Sequence, residues 1–129
     1  MGPHPVLVVD DQMPFRAAAR AVLSRLDGFE LAGEAADGFE AIELVDRLLP
    51  AIVLMDINMP RMNGISAAKR IVAAHPETVV FLCSTYDIAD LPAEVAASGA
   101  RGYLNKERLS GELLRRLWRD RDSGVFAAQ

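Results

Sequence analysis

The sequence predicts a single α/β domain, a parallel β-sheet covered by helices on both faces. Three observations carry this expectation. Short apolar runs alternate with helix-period segments along the chain, an order that produces parallel strands joined by right-handed crossovers. The runs at residues 6–9, 51–55 and 79–83 are almost continuously apolar and rich in β-branched side chains, as strands covered on both faces are. The 129 residues, 51% hydrophobic and 25% charged, suit one packed core rather than a disordered chain.

Five strands are expected, at residues 6–9, 29–32, 51–55, 79–83 and 102–104. Between the first two, Phe15, Ala18, Ala19, Val22, Leu23 and Leu26 share one helical face. Pro14 suits the first turn of that helix, where its missing N–H is one of the free donors anyway. Phe39, Ile42, Val45 and Leu49 define a second helix, and Ile65, Ala68 and Val72 a third. A fourth lies before Gly99, and Leu109, Leu113, Leu114 and Leu117 mark a fifth. Asp37-Gly38 and Ser98-Gly99 supply turns. Pro92 breaks any continuous helix over residues 87–98, because it removes a hydrogen bond and clashes with the preceding turn. The fourth helix is therefore expected to start near Pro92, after a loop or irregular turn. The domain is expected over residues 1–122, with 123–129 a tail or the start of a linker.

Composition excludes several function classes. A net charge of −4 and a pI near 5.1 argue against a broad nucleic-acid face, which needs clustered Lys and Arg. No apolar run approaches the roughly 18–20 residues of a membrane span. The N-terminus lacks the basic segment and apolar core of a signal peptide. The lone Cys83 allows no internal disulfide and fits a reducing compartment. A cytoplasmic protein, contacting neither membrane nor nucleic acid through this domain, is expected.

The chemistry-bearing residues fall where the strands end. Asp10 and Asp11 follow the first strand, Asp56 the third, Ser84 and Thr85 the fourth, and Asn105-Lys106 the fifth. In an open parallel sheet the carboxyl ends of the strands form the ligand-binding rim. Three carboxylates crowded there repel one another and call for a hard cation such as Mg²⁺. Asp56 can then act as a carboxylate nucleophile toward phosphorus, with Lys106 neutralising charge on the transferring oxygens and Ser84 donating a hydrogen bond.

In this order and spacing, Asp10-Asp11, Met55-Asp56-Ile57-Asn58-Met59-Pro60 with Asn63-Gly64, Ser84, and Gly99 through Lys106 resemble the receiver domain of two-component response regulators. Glu107 stands after Lys106 where many receivers carry proline. The local run Gly102-Tyr-Leu-Asn-Lys106 resembles the subgroup attached to LuxR/NarL-type helix-turn-helix domains. The resemblance implies a flavodoxin-like three-layer sandwich with strand order 2-1-3-4-5 and five helices. It implies Mg²⁺ held by Asp11, Asp56 and the Asn58 backbone carbonyl, with Asp10 acting through a water. It further implies Asp56 as phosphoacceptor, Lys106 as its partner, and Ser84 with Tyr103 as the switch. The implied partners are a sensor histidine kinase and either an output DNA-binding domain or a separate protein, with a homodimer on phosphorylation.

Blander readings stand beside these. Asp10 and Asp11 alone could cap a helix, Lys106 could be a surface lysine, and Thr85 could replace Ser84 at the strand end. His4 and His75 lack ligand partners at useful spacing and default to the surface. Arg101, Arg115, Arg116, Arg119 and Arg121 alternate with Glu112, Asp120 and Asp122 as a solvated helix face does, unless Trp118 anchors an interface there. A constitutive interaction module and a phosphatase acting through an aspartyl phosphate are the competing functions. The first is opposed by the complete set of rim residues. The second is opposed by Asn58, which stands where a second acid is needed.

Overall fold

The computed structural model describes residues 2–123 and 126–128. Six parallel strands, β1 (His4–Val9), β2 (Phe29–Ala35), β3 (Ile52–Asp56), β4 (Val79–Ser84), β5 (Gly102–Asn105) and β6 (Ala127–Ala128), form one sheet in the order β2-β1-β3-β4-β5-β6. The expected 2-1-3-4-5 arrangement is present, and β6 extends it by pairing Ala127 and Ala128 with Gly102 and Tyr103. Residues 124, 125 and 129 of the anticipated tail lie outside the described residues. The β1–β2 register shifts between Val6 and Leu7, so Ala32 bulges out of the ladder.

Among the described residues four α-helices, not five, cover the sheet: α1 (Met13–Ser24), α2 (Gly38–Leu48), α3 (Gly64–Ala74) and α4 (Gly111–Arg119). The helix expected before Gly99 is absent. In its place are two 3₁₀ turns, Ile88–Asp90 and Ala93–Val95. Leu91 between them is extended (φ −65°, ψ 134°), the conformation that a following proline imposes. Pro92 thus keeps Ile88 out of an α-helix, as expected, and the eight residues after it fail to wind one as well. The predicted fifth helix is α4.

Strand side chains alternate between two cores. Leu7, Val9, Val53, Met55, Val80, Leu82 and Tyr103 face α2 and α3, where Ala41, Val45, Ala67 and Ile71 meet them. Val6, Val8, Ile52, Leu54, Phe81, Cys83 and Leu104 face α1 and α4, against Leu23, Leu114 and Leu117. Both faces of β1, β3 and β4 are dry, which is why their sequences read as unbroken apolar runs.

The contact face of α2 is rotated from the periodicity of its large side chains. Gly38, Ala41 and Val45 are buried, whereas Phe39 and Leu49 are exposed. Small residues form the contact because α2 and α3 approach closely: a Cβ on Gly38 would lie 3.1 Å from Ala67 Cβ of α3, and 3.0 Å from Met62 Cγ in the loop before it. His4 and Trp118 also depart from their expected surface roles. Their rings lie 4.7 Å apart and both touch Phe29, while the Arg121 guanidinium stacks 3.7 Å over Trp118. Trp118 therefore closes the amino-terminal end of the sheet. Arg101 pairs with Asp122, Arg119 with Asp120 and Arg116 with Glu112, and Arg115 donates to the Asp27 carbonyl, so these arginines have partners within the chain. His75, half-buried, meets Asp46 of α2 at 2.7 Å.

Candidate functional site

The alternation that builds the two cores also sorts the polar residues at the strand ends. Asp10 and Asp56 continue the α1/α4 face of β1 and β3, and Lys106 continues that of β5, one step past Asn105. Ser84 and Tyr103 fall on the opposite parity, toward α2 and α3. Acids and ammonium meet on one side of the rim and the two hydroxyls on the other, a direct consequence of the period-two strand.

Asp10 is fully buried, Asp56 nearly so, and Asp11 exposed. One carboxylate oxygen from each lies within 4.8 Å of the others. Lys106 Nζ bridges Asp10 Oδ2 and Asp56 Oδ1, the latter at 3.1 Å. Asp10 Oδ2 meets the ammonium as an ion pair but accepts no well-directed hydrogen bond. Its Oδ1 accepts from Gln12 N–H at 2.8 Å. A buried, under-coordinated carboxylate oxygen facing two other carboxylates suits a hard, oxygen-seeking cation. The rim opens to solvent through a basin of about 210 Å³ lined by Asp11, Gln12, Asp56, Asn58, Ser84, Thr85 and Lys106.

Burial and charge crowding both act on the ionisable groups of the rim. Burial pushes the Asp56 carboxyl up to about 6, with Asp10 adding to the rise and Lys106 opposing it. Burial works against the Lys106 charge, yet its contacts with Asp10 and Asp56 outweigh this and hold its pKa above the ordinary lysine value. Cys83, fully buried on β4, is pushed far up by burial and is inert at neutral pH.

On the other side, Ser84 Oγ lies 2.7 Å from the Tyr103 hydroxyl. The phenol donates toward two carbonyls, Ser84 O at 3.0 Å and Tyr86 O at 2.8 Å. It has one proton, and carbonyls only accept. That proton goes to a carbonyl, and the phenol oxygen accepts from Ser84. Ser84 Oγ accepts in turn from Tyr86 N–H at 3.1 Å. Thr85 lines the basin beside Ser84 but is exposed. Asn58, which lines the basin, donates through its side-chain amide to the Tyr86 hydroxyl at 3.3 Å.

Three side-chain contacts, two at the rim and one at the start of α2, carry no signal in the sequence. Arg16 donates to the Asp10 carbonyl at 2.7 Å and pairs with Glu34 of β2 at 3.3 Å. Phe15 places its ring 4.9 Å from Lys106 Nζ. Arg61, at φ +68°, pairs with the buried Asp37, whose other oxygen caps α2 through Glu40 N–H. A helix-face reading assigns Phe15 to the core and has no term for a pair 24 residues apart. In the sequence Gly64 reads only as part of a motif. A Cβ there would overlap the Asp56 carbonyl oxygen, so this close approach admits only glycine.

The family model for the response regulator receiver domain matches residues 6–117. The chain is 35% identical over 102 residues to the transcriptional regulatory protein DegU of Brevibacillus brevis, covering 79% of this chain and 43% of DegU. It is 39% identical over 101 residues to the chemotaxis protein CheY of Thermotoga maritima, covering 78% of this chain and 83% of CheY. The signal receiver domain of the putative response regulator NarL from Mycobacterium tuberculosis superposes with a TM-score of 0.83 at 29% identity, over 97% of this chain and all of that one. The chain thus spans less than half of DegU. No helix among the described residues is long and apolar enough to cross a membrane. With this sheet order, this acidic rim and these relatives, the chain belongs to the receiver domains of two-component response regulators, among relatives of the LuxR/NarL type.

Proposed function

We propose that Asp56 accepts a phosphoryl group from the phosphohistidine of a sensor kinase, and that the resulting charge resets the hydroxyl pair Ser84–Tyr103. The observation that carries this is the shared ammonium. Lys106 bridges Asp10 and Asp56 at the mouth of an open basin, so one carboxylate stands ready as nucleophile with its counter-charge already in place.

An Asp56 oxygen would attack phosphorus as the P–N bond breaks, and the electron pair of that bond returns to the imidazole. Asp11, Asp56 and the Asn58 carbonyl would hold Mg²⁺, with Asp10 reaching it through water. Bound Mg²⁺ would supply positive charge to the transferring oxygens. Lys106 turns its donors from Asp10 toward the new phosphoryl oxygens. Ser84 must rotate away from Tyr103 to donate to them, since its only proton is committed to the phenol in the structure described here. The change then reaches β5, α4 and the 3₁₀ turns that replace the missing helix, a surface suited to control of an output domain or partner.

The 43% coverage of DegU supports the receiver portion of a longer transcriptional regulator; a cytoplasmic location and a homodimer on phosphorylation complete the proposal. Titration calorimetry with Mg²⁺ and beryllofluoride tests the site. One equivalent should bind, and binding should vanish in Asp56→Ala and without Mg²⁺. If the wild-type protein binds none, a constitutive interaction module replaces the switch.

A further inference from the structure

We propose that Phe15 is a positioning residue for Lys106: its ring face holds the ammonium over the acidic rim while leaving the N–H donors free to turn toward a phosphoryl group. Lys106 sits on a short 3₁₀ turn after β5 and carries its charge on a flexible four-carbon stem. Asp10 and Asp56 both meet Nζ, and the face of the Phe15 ring lies 4.9 Å from it. Only 14% of the lysine side chain is exposed. A ring within about 6 Å of an ammonium attracts it through its negative face, more strongly where water is excluded.

The ring is placed independently of the lysine it faces. Phe15 packs against the α1/α4 core from the first turn of α1. No side chain caps that turn; the Gln12 N–H is bound by the Asp10 carboxylate, and Arg16 grips the Asp10 carbonyl. The acid that pairs with Lys106 therefore also binds the start of the helix that carries the ring. A third carboxylate in place of the ring would compete for the N–H donors. The aromatic face holds the charge and engages none of them.

This inference rests on Asp56 being the phosphoacceptor, and the experiment separates the two. Phe15 is replaced by 4-fluoro-, trifluoro- and pentafluorophenylalanine, which keep the ring and progressively weaken its negative face, and by Phe15→Leu and Phe15→Trp. NMR of the Lys106 ammonium reports the contact without phosphorylation, and its protons should lose their upfield ring shift in Phe15→Leu. The rate of phosphorylation by saturating acetyl phosphate with Mg²⁺ should fall stepwise along the fluorinated series and by about two- to five-fold in Phe15→Leu, with Phe15→Trp near wild type. Tm and Mg²⁺ affinity should stay constant across the fluorinated set. A flat rate, a rate that tracks Tm, or a faster Phe15→Leu overturns the positioning role. An intact ammonium shift in a wild-type chain that accepts no phosphoryl group overturns the acceptor reading instead, and the proposed role with it.

Discussion

Tyr103 and Ser84 share a 2.7 Å hydrogen bond in which the phenol is the acceptor, because its own proton is claimed by the carbonyls of Ser84 and Tyr86. The ring is fully buried on β5, and burial raises its pKa while the bond to Ser84 opposes the rise. The inward position of Tyr103 is thus built from backbone acceptors, and Ser84 is the movable member of the pair.

Removing the phenol should therefore be a folding defect first. Tyr103→Phe removes the 2.8 Å donor to the Tyr86 carbonyl and leaves it only the 3.3 Å bond from the Asn105 amide, and is expected to lower stability by about 0.5–1.5 kcal/mol in urea unfolding. Ser84→Ala removes only the mobile partner and should lower it less. Equal losses from the two variants would contradict this division.

Metal-free protein should lose stability as pH rises through about 6. The folded Asp56 carboxyl titrates near 6, whereas the unfolded one titrates near 3.8, so between those values the folded chain binds the extra proton. Unfolding free energy then falls with rising pH across that window. Lys106 titrates above it and leaves the sign unchanged. Melting temperature without metal should be higher at pH 5 than at pH 7, and Asp56→Asn should flatten the difference. An NMR midpoint near 4 for Asp56 would sink the argument.

Gly64→Ala is expected to cost about 2–4 kcal/mol, because the added methyl would overlap the Asp56 carbonyl oxygen and press on Met55. The disturbed backbone belongs to Asp56 itself, so Mg²⁺ binding should weaken along with the melting temperature. A variant as stable as wild type would show that the β3–α3 loop relaxes freely.

Pro92→Ala should let the two 3₁₀ turns merge into an α-helix. Proline disfavours a helix interior by about 3 kcal/mol relative to alanine, and the flanking residues Ile88 to Ala97 are otherwise good helix formers or neutral. Circular dichroism at 222 nm should gain the signal of about two helical turns. An unchanged spectrum would assign the missing helix to another cause, such as the fixed bend at Gly99, whose φ is +89°.

What could be read in the sequence follows from physics that acts locally. Apolar runs that must be dry on both faces marked β1, β3 and β4, and the first polar residue after each fell on the rim because a strand has a fixed direction and period. The missing helix was half legible. Proline sterics forbade a helix at Ile88, but nothing local shows that Glu94 to Ser98 fail to wind after it. The contact face of α2 was misread because periodicity weights Phe39 and Leu49, while close packing against Met62 selects Gly38 and Ala41. Arg61 on Asp37, Phe15 on Lys106 and the two-residue β6 depend on residues 24, 91 and about 25 positions apart, which no local pattern encodes.

The most direct measurement is intact-protein mass after incubation with acetyl phosphate and Mg²⁺, beside Asp56→Ala and a sample with Mg²⁺ removed. One added phosphoryl group in the wild type, absent from both controls, is the predicted result. An adduct that persists in Asp56→Ala would contradict the assignment of the acceptor and move the chemistry to another residue.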